Sequence, residues 1–179
     1  RIAVFWAVLF PLNIVFAVDY YISTNGDNKD SGTSPDHAWE NFNNVNPRTF
    51  NPGDRILLRR GDSWYQPLRL KGSGDASNPC VLSAYGSGDK PKIIRNDITS
   101  DKCIYMLNVQ GWEISELHLS TALVGIFIQC WDNHTHNYFH IHDIYCENMN
   151  HYDTTHAFGK GILLVTSNYP STVIRNVKI

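Results

Sequence analysis

Short apolar runs at almost constant spacing are the feature that most constrains the fold of this chain. Within the segment 53–93, runs begin at Ile56, Leu68, Val81 and Ile93, so their spacing along the chain is nearly even. The segments between them are rich in turn formers, including two Gly-Ser-Gly-Asp segments at 72–75 and 86–89. This spacing predicts short strands joined by tight turns. Since alternate residues of a strand point to the same side, the inward residues are predicted to be Ile56, Leu58, Leu68 and Leu70.

A second pattern repeats three times later in the chain. Each copy reads apolar, two polar, apolar, any residue, apolar, and the copies begin at Ile114, Ile141 and Ile174. A gap of three residues breaks the alternation of a strand, whereas a corner between two strands keeps the apolar residues on both sides pointing inward. Repeats of this length predict a solenoid, in which each coil pairs its strands with those of the neighbouring coils.

The predicted fold class is therefore all-β, as a parallel β-helix. A β-sandwich is the competing fold, because strands at roughly this spacing also build sandwiches. The repeated corner pattern favours the solenoid. The pattern also predicts that the inward apolar residues share one core, namely Ile114, Leu117, Leu119, Ile141, Ile144, Cys146, Ile174 and Val177.

The chain is predicted to have three parts. Residues 1–17 read as an export signal, with an apolar stretch and the small residues Val15 and Ala17 before the expected cleavage at Val18. Residues 18–52 are expected to cap the solenoid, with Trp39, Phe42 and Val45 over the open end of the core. Residues 53–179 are the coils. They are expected to be incomplete at the C-terminal end, because the third corner repeat ends at Ile179 without a capping segment.

Composition narrows the class of partner. Of 179 residues 42% are apolar and 18% are charged, which is typical of a globular protein. A formal net charge of −2 argues against nucleic-acid binding and against an anionic membrane surface. With the export signal, this predicts a secreted, periplasmic or cell-surface monomer that has no membrane segment after signal cleavage. The four cysteines have no Cys-x-x-Cys spacing and are interpreted as small buried apolar residues.

Segments 20–46 and 50–93 resemble the amino-terminal region of secreted right-handed parallel β-helix proteins of the pectate-lyase-like superfamily. The resemblance implies a right-handed single-stranded β-helix and a polysaccharide or glycan partner. It also implies either a lyase or a glycoside hydrolase. A lyase of this kind uses a Lys or Arg base, often with Ca²⁺ to neutralise a uronate carboxylate, whereas a hydrolase needs two carboxyl groups. Ca²⁺ is the only cofactor that the resemblance implies.

The densest polar cluster lies at residues 131–160 and supplies the candidate site. His140 and His142 flank Ile141 on a predicted strand, so both point away from the core. Two segments, 129–140 and 148–160, are expected to loop out and converge on a groove. The predicted catalytic residues are His142, Asp143 and Lys160, and the predicted substrate-binding residues are Trp131, His140, Glu147 and Tyr152.

Two alternatives remain open from the residues alone. A metal shared by His140 and His142 is conceivable from their spacing, but a polar outer face that happens to be rich in histidine is the better interpretation, and no metal is predicted. The function is predicted to be that of the amino-terminal part of an exported polysaccharide lyase or glycoside hydrolase. The rival is a non-catalytic solenoid that binds glycans or surfaces.

Overall fold

The computed structural model describes residues 16–96, 101–149, 159–166 and 171–179. The predicted signal segment lies outside these residues except for Phe16 and Ala17, and its cleavage stays a prediction. Within the described residues, no helix is long and apolar enough to span a membrane. The helical structure there is a short 3₁₀ turn at Pro35–His37, and the regular structure is otherwise strand.

The described part of the chain forms fourteen strands, and all the pairings between them are parallel. In chain order they are β1 (Asp19–Ile22), β2 (Arg55–Arg59), β3 (Ser63–Trp64), β4 (Leu68–Leu70), β5 (Cys80–Tyr85), β6 (Lys92–Ile94), β7 (Lys102–Leu107), β8 (Trp112–Ser115), β9 (His118–Ser120), β10 (Val124–Cys130), β11 (Thr135–His142), β12 (Tyr145–Glu147), β13 (Lys160–Thr166) and β14 (Val173–Lys178).

The strands form three parallel sheets. The first sheet has the order β1-β2-β5-β8-β11-β14, the second β3-β6-β9-β12, and the third β4-β7-β10-β13. From β2 onward, successive strands enter the first, second and third sheets in rotation, so strands three apart in the sequence are neighbours in space. The prediction of an all-β chain with parallel strands is confirmed. The even spacing of apolar runs missed β3, because a strand as short as Ser63–Trp64 cannot show a period.

The core lies between the three sheets and is built from columns of inward residues. One column in the first sheet contains Ile56, Leu82, Ile114 and Ile141, which are in register and at most 1% exposed. Like Ile56, the other residues predicted to face inward in β2 and β4 are at most 1% exposed: Leu58, Leu68 and Leu70. Burying a large aliphatic side chain stabilises the fold by roughly 1.5–3 kcal/mol, so these columns dominate its stability.

The corner repeat is confirmed for its first two copies, whereas in the third Ile174 packs against the core as predicted but no corner forms. Ile141 lies in register with Ile114, as predicted. Ile174, however, lies beside His136 rather than Ile141, and Val177 lies beside Phe139 and is 40% exposed. The third copy is not a corner, because its residues run through the single strand β14. Sequence spacing could not reveal this, because the register depends on the pairing of β14 with β11, which places Val177 beside the buried Phe139.

The predicted insertion at 129–140 is also mostly strand. β10 continues to Cys130 and β11 begins at Thr135, which leaves a short loop between them. Tyr138 adopts a left-handed backbone with φ 63°, and this interrupts the alternation of β11. His136 and Phe139, an odd number of positions apart, are therefore both buried. The polar residues of this segment suggested a loop, but several of them lie on the outer face of a strand.

The amino-terminal segment packs over the first strands as expected. Trp39, Phe42 and Val45 are at most 2% exposed. The Tyr20 and Trp39 rings stack with centroids 5.2 Å apart, and Trp39 Nε1 donates a hydrogen bond of 2.9 Å to the Asp30 carbonyl. The division of the chain at residues 17 and 52 stays a prediction.

Candidate functional site

The predicted site residues are distributed over all three sheets. His140 and His142 lie on β11 in the first sheet, and Asp143 follows directly. Glu147 ends β12 in the second sheet, where its Oε1 lies 2.8 Å from His118 Nε2 and 3.4 Å from Lys92 Nζ.

The other predicted residues lie apart from this group. Lys160 begins β13 in the third sheet, in register with Val124. Trp131 lies in the loop between β10 and β11 and is 49% exposed. Tyr152 lies outside the described residues. Of the predicted site residues that the structure describes, His140, His142 and Asp143 lie together, and Glu113, which the sequence analysis did not single out, joins them.

These four residues form what we call the histidine surface: Glu113, His140, His142 and Asp143. His140 and Glu113 are in register on neighbouring strands, and the two imidazole rings have centroids 4.5 Å apart. His142 Nε2 lies 3.4 Å from Glu113 Oε1, and His142 Nδ1 lies 2.7 Å from Asp143 Oδ2. The cluster arises because alternate residues of β11 point outward beside the outward residues of β8.

The charges of the histidine surface shift its ionisation. The hydrogen bond with Asp143, followed by that with Glu113, raises the pKa of His142 above its ordinary value of 6.5, and partial burial opposes this only in part. The same hydrogen bond lowers the pKa of Asp143 below 3.8. His142 is therefore oriented by two carboxylates, in the manner of a proton-transfer or metal-binding imidazole.

The histidine surface continues into a charged corner. Lys90 Nζ donates a hydrogen bond to the Asp143 carbonyl and lies 3.7 Å from Glu116 Oε1. Arg60 forms an ion pair with the same Glu116 carboxylate. These contacts hold the turn after β11 in place. Exposed ion pairs contribute about 0–1 kcal/mol each, so their role is orientation more than stability.

A second surface, which the sequence analysis missed, lies on the outer face of the third sheet. We call it the aromatic cleft, and its volume is about 370 Å³. The Tyr105 and Phe127 rings, in register on β7 and β10, stack with centroids 5.8 Å apart and planes 28° from parallel. Tyr105 OH and Gln129 Oε1 are 2.7 Å apart, so the hydroxyl donates to the amide oxygen. The lining residues are Pro67, Arg69, Asp101, Lys102, Tyr105, Phe127 and Gln129.

Cations and a carboxylate surround the stacked rings of the aromatic cleft. Lys102 Nζ lies 5.5 Å from the centroid of Phe127, and Asp101 Oδ2 forms an ion pair of 2.9 Å with Arg95. Arg69 is in register with Tyr105 on the next strand. An apolar ring face bordered by charged donors, an amide and a carboxylate is suited to a ligand with both hydrophobic and hydroxyl-bearing surfaces.

A signal for the aromatic cleft does exist in the sequence. In Ile104-Tyr105-Met106 and Ile126-Phe127-Ile128, an aromatic residue stands between two inward aliphatic residues. Strand alternation makes each ring point outward. What the sequence did not show is that β7 and β10 are neighbours, which places the two rings face to face.

The cysteines offer no nucleophile in the described structure. All four are free, and Cys80, Cys103 and Cys130 are fully buried, in agreement with their interpretation as small apolar residues. Burial raises the pKa of Cys80 and Cys103 to about 12 and that of Cys130 to about 11. These thiols stay protonated at neutral pH, so they are unreactive.

Comparison with known proteins finds similarity to lacto-N-biosidases. A lacto-N-biosidase of Bifidobacterium longum subsp. longum is 37% identical over 86 residues, which cover 44% of this chain and 5% of that protein. Two crystal structures of GH136 lacto-N-biosidase from Eubacterium ramulus, native and selenomethionine-labelled, each match 89% of this chain with a TM-score of 0.70 and 20% identity. This chain covers 33–34% of those structures. No protein-family model matches the chain.

These findings correct the predicted relationship. The resemblance to the pectate-lyase-like superfamily was wrong, since the sequence and structure matches are to lacto-N-biosidases. The segments that carried that resemblance consist of short strands and turn residues. Such residues specify the local geometry of parallel strands, which unrelated families can share, and therefore do not identify a family.

Proposed function

We propose that this chain is a glycan-binding part of an exported glycoside hydrolase of the lacto-N-biosidase type. The aromatic cleft is the observation that carries the proposal. The similarity to lacto-N-biosidases supports the hydrolase class. The lyase reaction, and with it the Ca²⁺ that neutralises a uronate, has no support from these relatives. A secreted, periplasmic or cell-surface monomer remains our expectation.

The aromatic cleft provides what a sugar requires. A pyranose ring has an apolar face of C–H groups and an equatorial rim of hydroxyls. The stacked Tyr105 and Phe127 offer a flat apolar platform, while Gln129, Arg69 and Lys102 lie around it as hydrogen-bonding groups. A volume of about 370 Å³ is at the lower end of the range for small-molecule sites, roughly 300–1,000 Å³, and suits one or two sugar rings.

The rigid sheet supports this assignment. Tyr105 and Phe127 stand on strands whose flanking residues, Ile104, Met106, Ile126 and Ile128, are fully buried. The rings therefore need little ordering when a ligand binds, and a site on strands is held more firmly than one on loops. We also propose that the rotation of strands through three sheets follows a single right-handed solenoid, since right-handed connections are the rule between parallel strands of one sheet.

The catalytic assignment of His142, Asp143 and Lys160 stays a prediction. Glycoside hydrolysis ordinarily uses two carboxyl groups on either side of the scissile bond. On the histidine surface the two carboxylates, Glu113 and Asp143, both contact His142. Lys160 begins a strand of another sheet. We therefore assign glycan binding to this chain.

Calorimetric titration of the 179-residue chain tests the proposal. The probes are an oligosaccharide that ends in lacto-N-biose and a uronate-rich glycan. We expect saturable binding of the former, weakened at least tenfold by Phe127→Ala or Tyr105→Ala. Tyr65→Ala is the matched control, because Tyr65 is 63% exposed and lies outside the aromatic cleft. Unchanged affinity in both cleft variants would contradict the assignment.

A product assay on the same samples tests whether the reaction lies within these residues. Release of lacto-N-biose by the chain supports a hydrolase whose reaction lies within these residues. Binding without release limits these residues to glycan binding, which is expected both for the binding part of a hydrolase and for the rival function, a non-catalytic glycan-binding solenoid. Preferential binding of the uronate-rich glycan would contradict the relationship to lacto-N-biosidases.

A further inference from the structure

We propose that Glu113, His140 and His142 form a binding site for a borderline divalent cation of the Zn²⁺ type. The ligand atoms of these three side chains all lie within 4.8 Å of one another. The site would be distinct from the aromatic cleft, which lies on another sheet. It also differs from the expectation drawn from the sequence, which predicted no metal.

Parallel pairing of β8 and β11 creates the ligand set. His140 and His142 alternate with Ile141 on β11, so both point outward, and Glu113 stands beside His140 on β8. Three ligands from two hydrogen-bonded strands have fixed backbone positions. Two imidazoles and one carboxylate are a recurrent set for zinc, with a further coordination position left for water or substrate.

The distances fit one shared ion. His142 Nε2 is 3.4 Å from Glu113 Oε1, and His140 Nδ1 is 3.9 Å from Glu113 Oε2. Around a tetrahedral Zn²⁺ with bonds of about 2.0–2.2 Å, ligand atoms lie about 3.3 Å apart. Small side-chain rotations therefore suffice to bring the three groups to coordination distance. The separation of 3.9 Å is too long for a hydrogen bond, so hydrogen bonding does not account for the position of His140.

Asp143 gives a second, independent indication. Its carboxylate Oδ2 lies 2.7 Å from His142 Nδ1 and can only accept, so Nδ1 carries the proton. Nε2, on the other side of the ring, faces Glu113 Oε1 at 3.4 Å, the position from which it would coordinate a shared ion. A carboxylate that holds the far nitrogen of a metal-binding imidazole is a common second partner at zinc sites.

The site is accessible but not freely solvated. The side chains of His140, Glu113 and His142 are 25%, 31% and 36% exposed. An ion can therefore enter from solvent without any opening of the fold. The buried Cys80, Cys103 and Cys130 thiols do not compete for it in the folded chain.

Calorimetric titration of the chain with ZnCl₂ near neutral pH tests the site. We expect one Zn²⁺ per chain, affinity lowered at least tenfold by His140→Ala, His142→Ala or Glu113→Gln, and about tenfold by Asp143→Asn. His134→Ala is the control, since His134 is an exposed histidine with a carboxylate partner outside the site. Ca²⁺, which prefers oxygen ligands, is expected not to compete. X-ray absorption of the zinc complex should show two imidazole nitrogens.

Three results would overturn the proposal. These are no saturable zinc binding, unchanged binding in the His140→Ala/His142→Ala double variant, and equal competition by Ca²⁺. Glu113→Gln keeps the shape of the side chain and removes only its charge. Circular dichroism of each variant shows whether the variant is folded, so that a loss of zinc binding can be distinguished from a loss of folding. The glycan titration is independent of all three results, because Tyr105 and Phe127 lie on a different sheet.

Discussion

The first and third sheets have similar inner faces and different outer faces. Inside, both present columns of fully buried aliphatic residues, such as Leu82 and Ile114 in the first and Leu68 and Ile104 in the third. Outside, β8 and β11 carry the titratable histidine surface, whereas β7 and β10 carry the stacked rings of the aromatic cleft. One core can thus support two unrelated surfaces, because strand alternation separates inward from outward residues.

The largest expected effect on stability comes from a substitution in the core that the first and third sheets share. Ile114→Asp places an unpaired carboxylate in a column that is fully buried, and we expect a loss of more than about 4 kcal/mol, enough to prevent folding. Ile114→Val is the matched control and should cost about 1 kcal/mol. Circular dichroism and urea unfolding measure both. A soluble Ile114→Asp chain with an unchanged urea midpoint would show that the sheets do not share this core.

The next largest effect is the difference in stability between a substitution on an inner face and one on an outer face of the sheets. Phe139 on β11 is fully buried, whereas Phe127 on β10 lines the aromatic cleft. We expect Phe139→Ala to lower the free energy of unfolding by about 3–5 kcal/mol and Phe127→Ala by about 1 kcal/mol. Urea unfolding with the same probe compares them directly. Equal losses would mean that the aromatic cleft is part of the core and not a binding surface.

A smaller effect is expected within the aromatic cleft. Tyr105→Phe keeps the stacked ring but removes the hydroxyl that donates to Gln129 Oε1 at 2.7 Å. The amide then loses a fixed orientation, and we expect glycan affinity to fall about threefold, in line with one hydrogen bond. Calorimetry measures this, with Tyr65→Phe as control. If Tyr105→Phe lowered glycan affinity as much as Phe127→Ala does, the hydroxyl of Tyr105 and not its ring would make the main contact with the glycan.

The smallest expected effect is on the pH dependence of stability, through the charge of two carboxyl groups. Burial raises the pKa of Glu147, but the hydrogen bonds and charges of His118 and Lys92 outweigh it and hold the pKa below 4.5. Asp132 behaves alike: burial raises its pKa, while His136 and His134 bring it below 3.8. A carboxyl whose pKa is lower in the folded state stabilises the fold above its unfolded pKa. That contribution is lost as the pH falls through the folded value.

Stability should therefore decrease as the pH falls below about 4.5, and the decrease should be shallower in Glu147→Gln. The urea midpoint as a function of pH measures this effect. Asp36→Asn is the control, since Asp36 is exposed on the 3₁₀ turn. A slope in Glu147→Gln that equals that of the unaltered chain would assign the acid sensitivity to other groups. No such contribution is expected from the ring stack of the aromatic cleft.

The candidate residues show which features of the site could be predicted from local sequence patterns and which could not. His140 and His142 were predicted to share an outer face, and they do, because period-two alternation is a local property of a strand. Glu113 was missed because it lies a whole coil before His140 in the chain, and only the pairing of β8 with β11 brings the two together. The predicted groove failed at residues 129–140, where a polar segment forms most of a strand.

The sequence by itself determined the strand class, the inward residues of the first coils and the first two corner repeats, because these depend on neighbours a few positions apart. The tertiary structure alone decided which coils are in register. The column Ile56, Leu82, Ile114 and Ile141 is in register although its members are unevenly spaced along the chain. Turns of unequal length accommodate these differences in sequence spacing without altering the core. For that reason the meeting of Tyr105 with Phe127, and of Glu113 with His140, follows from packing between coils and not from any fixed spacing in the chain.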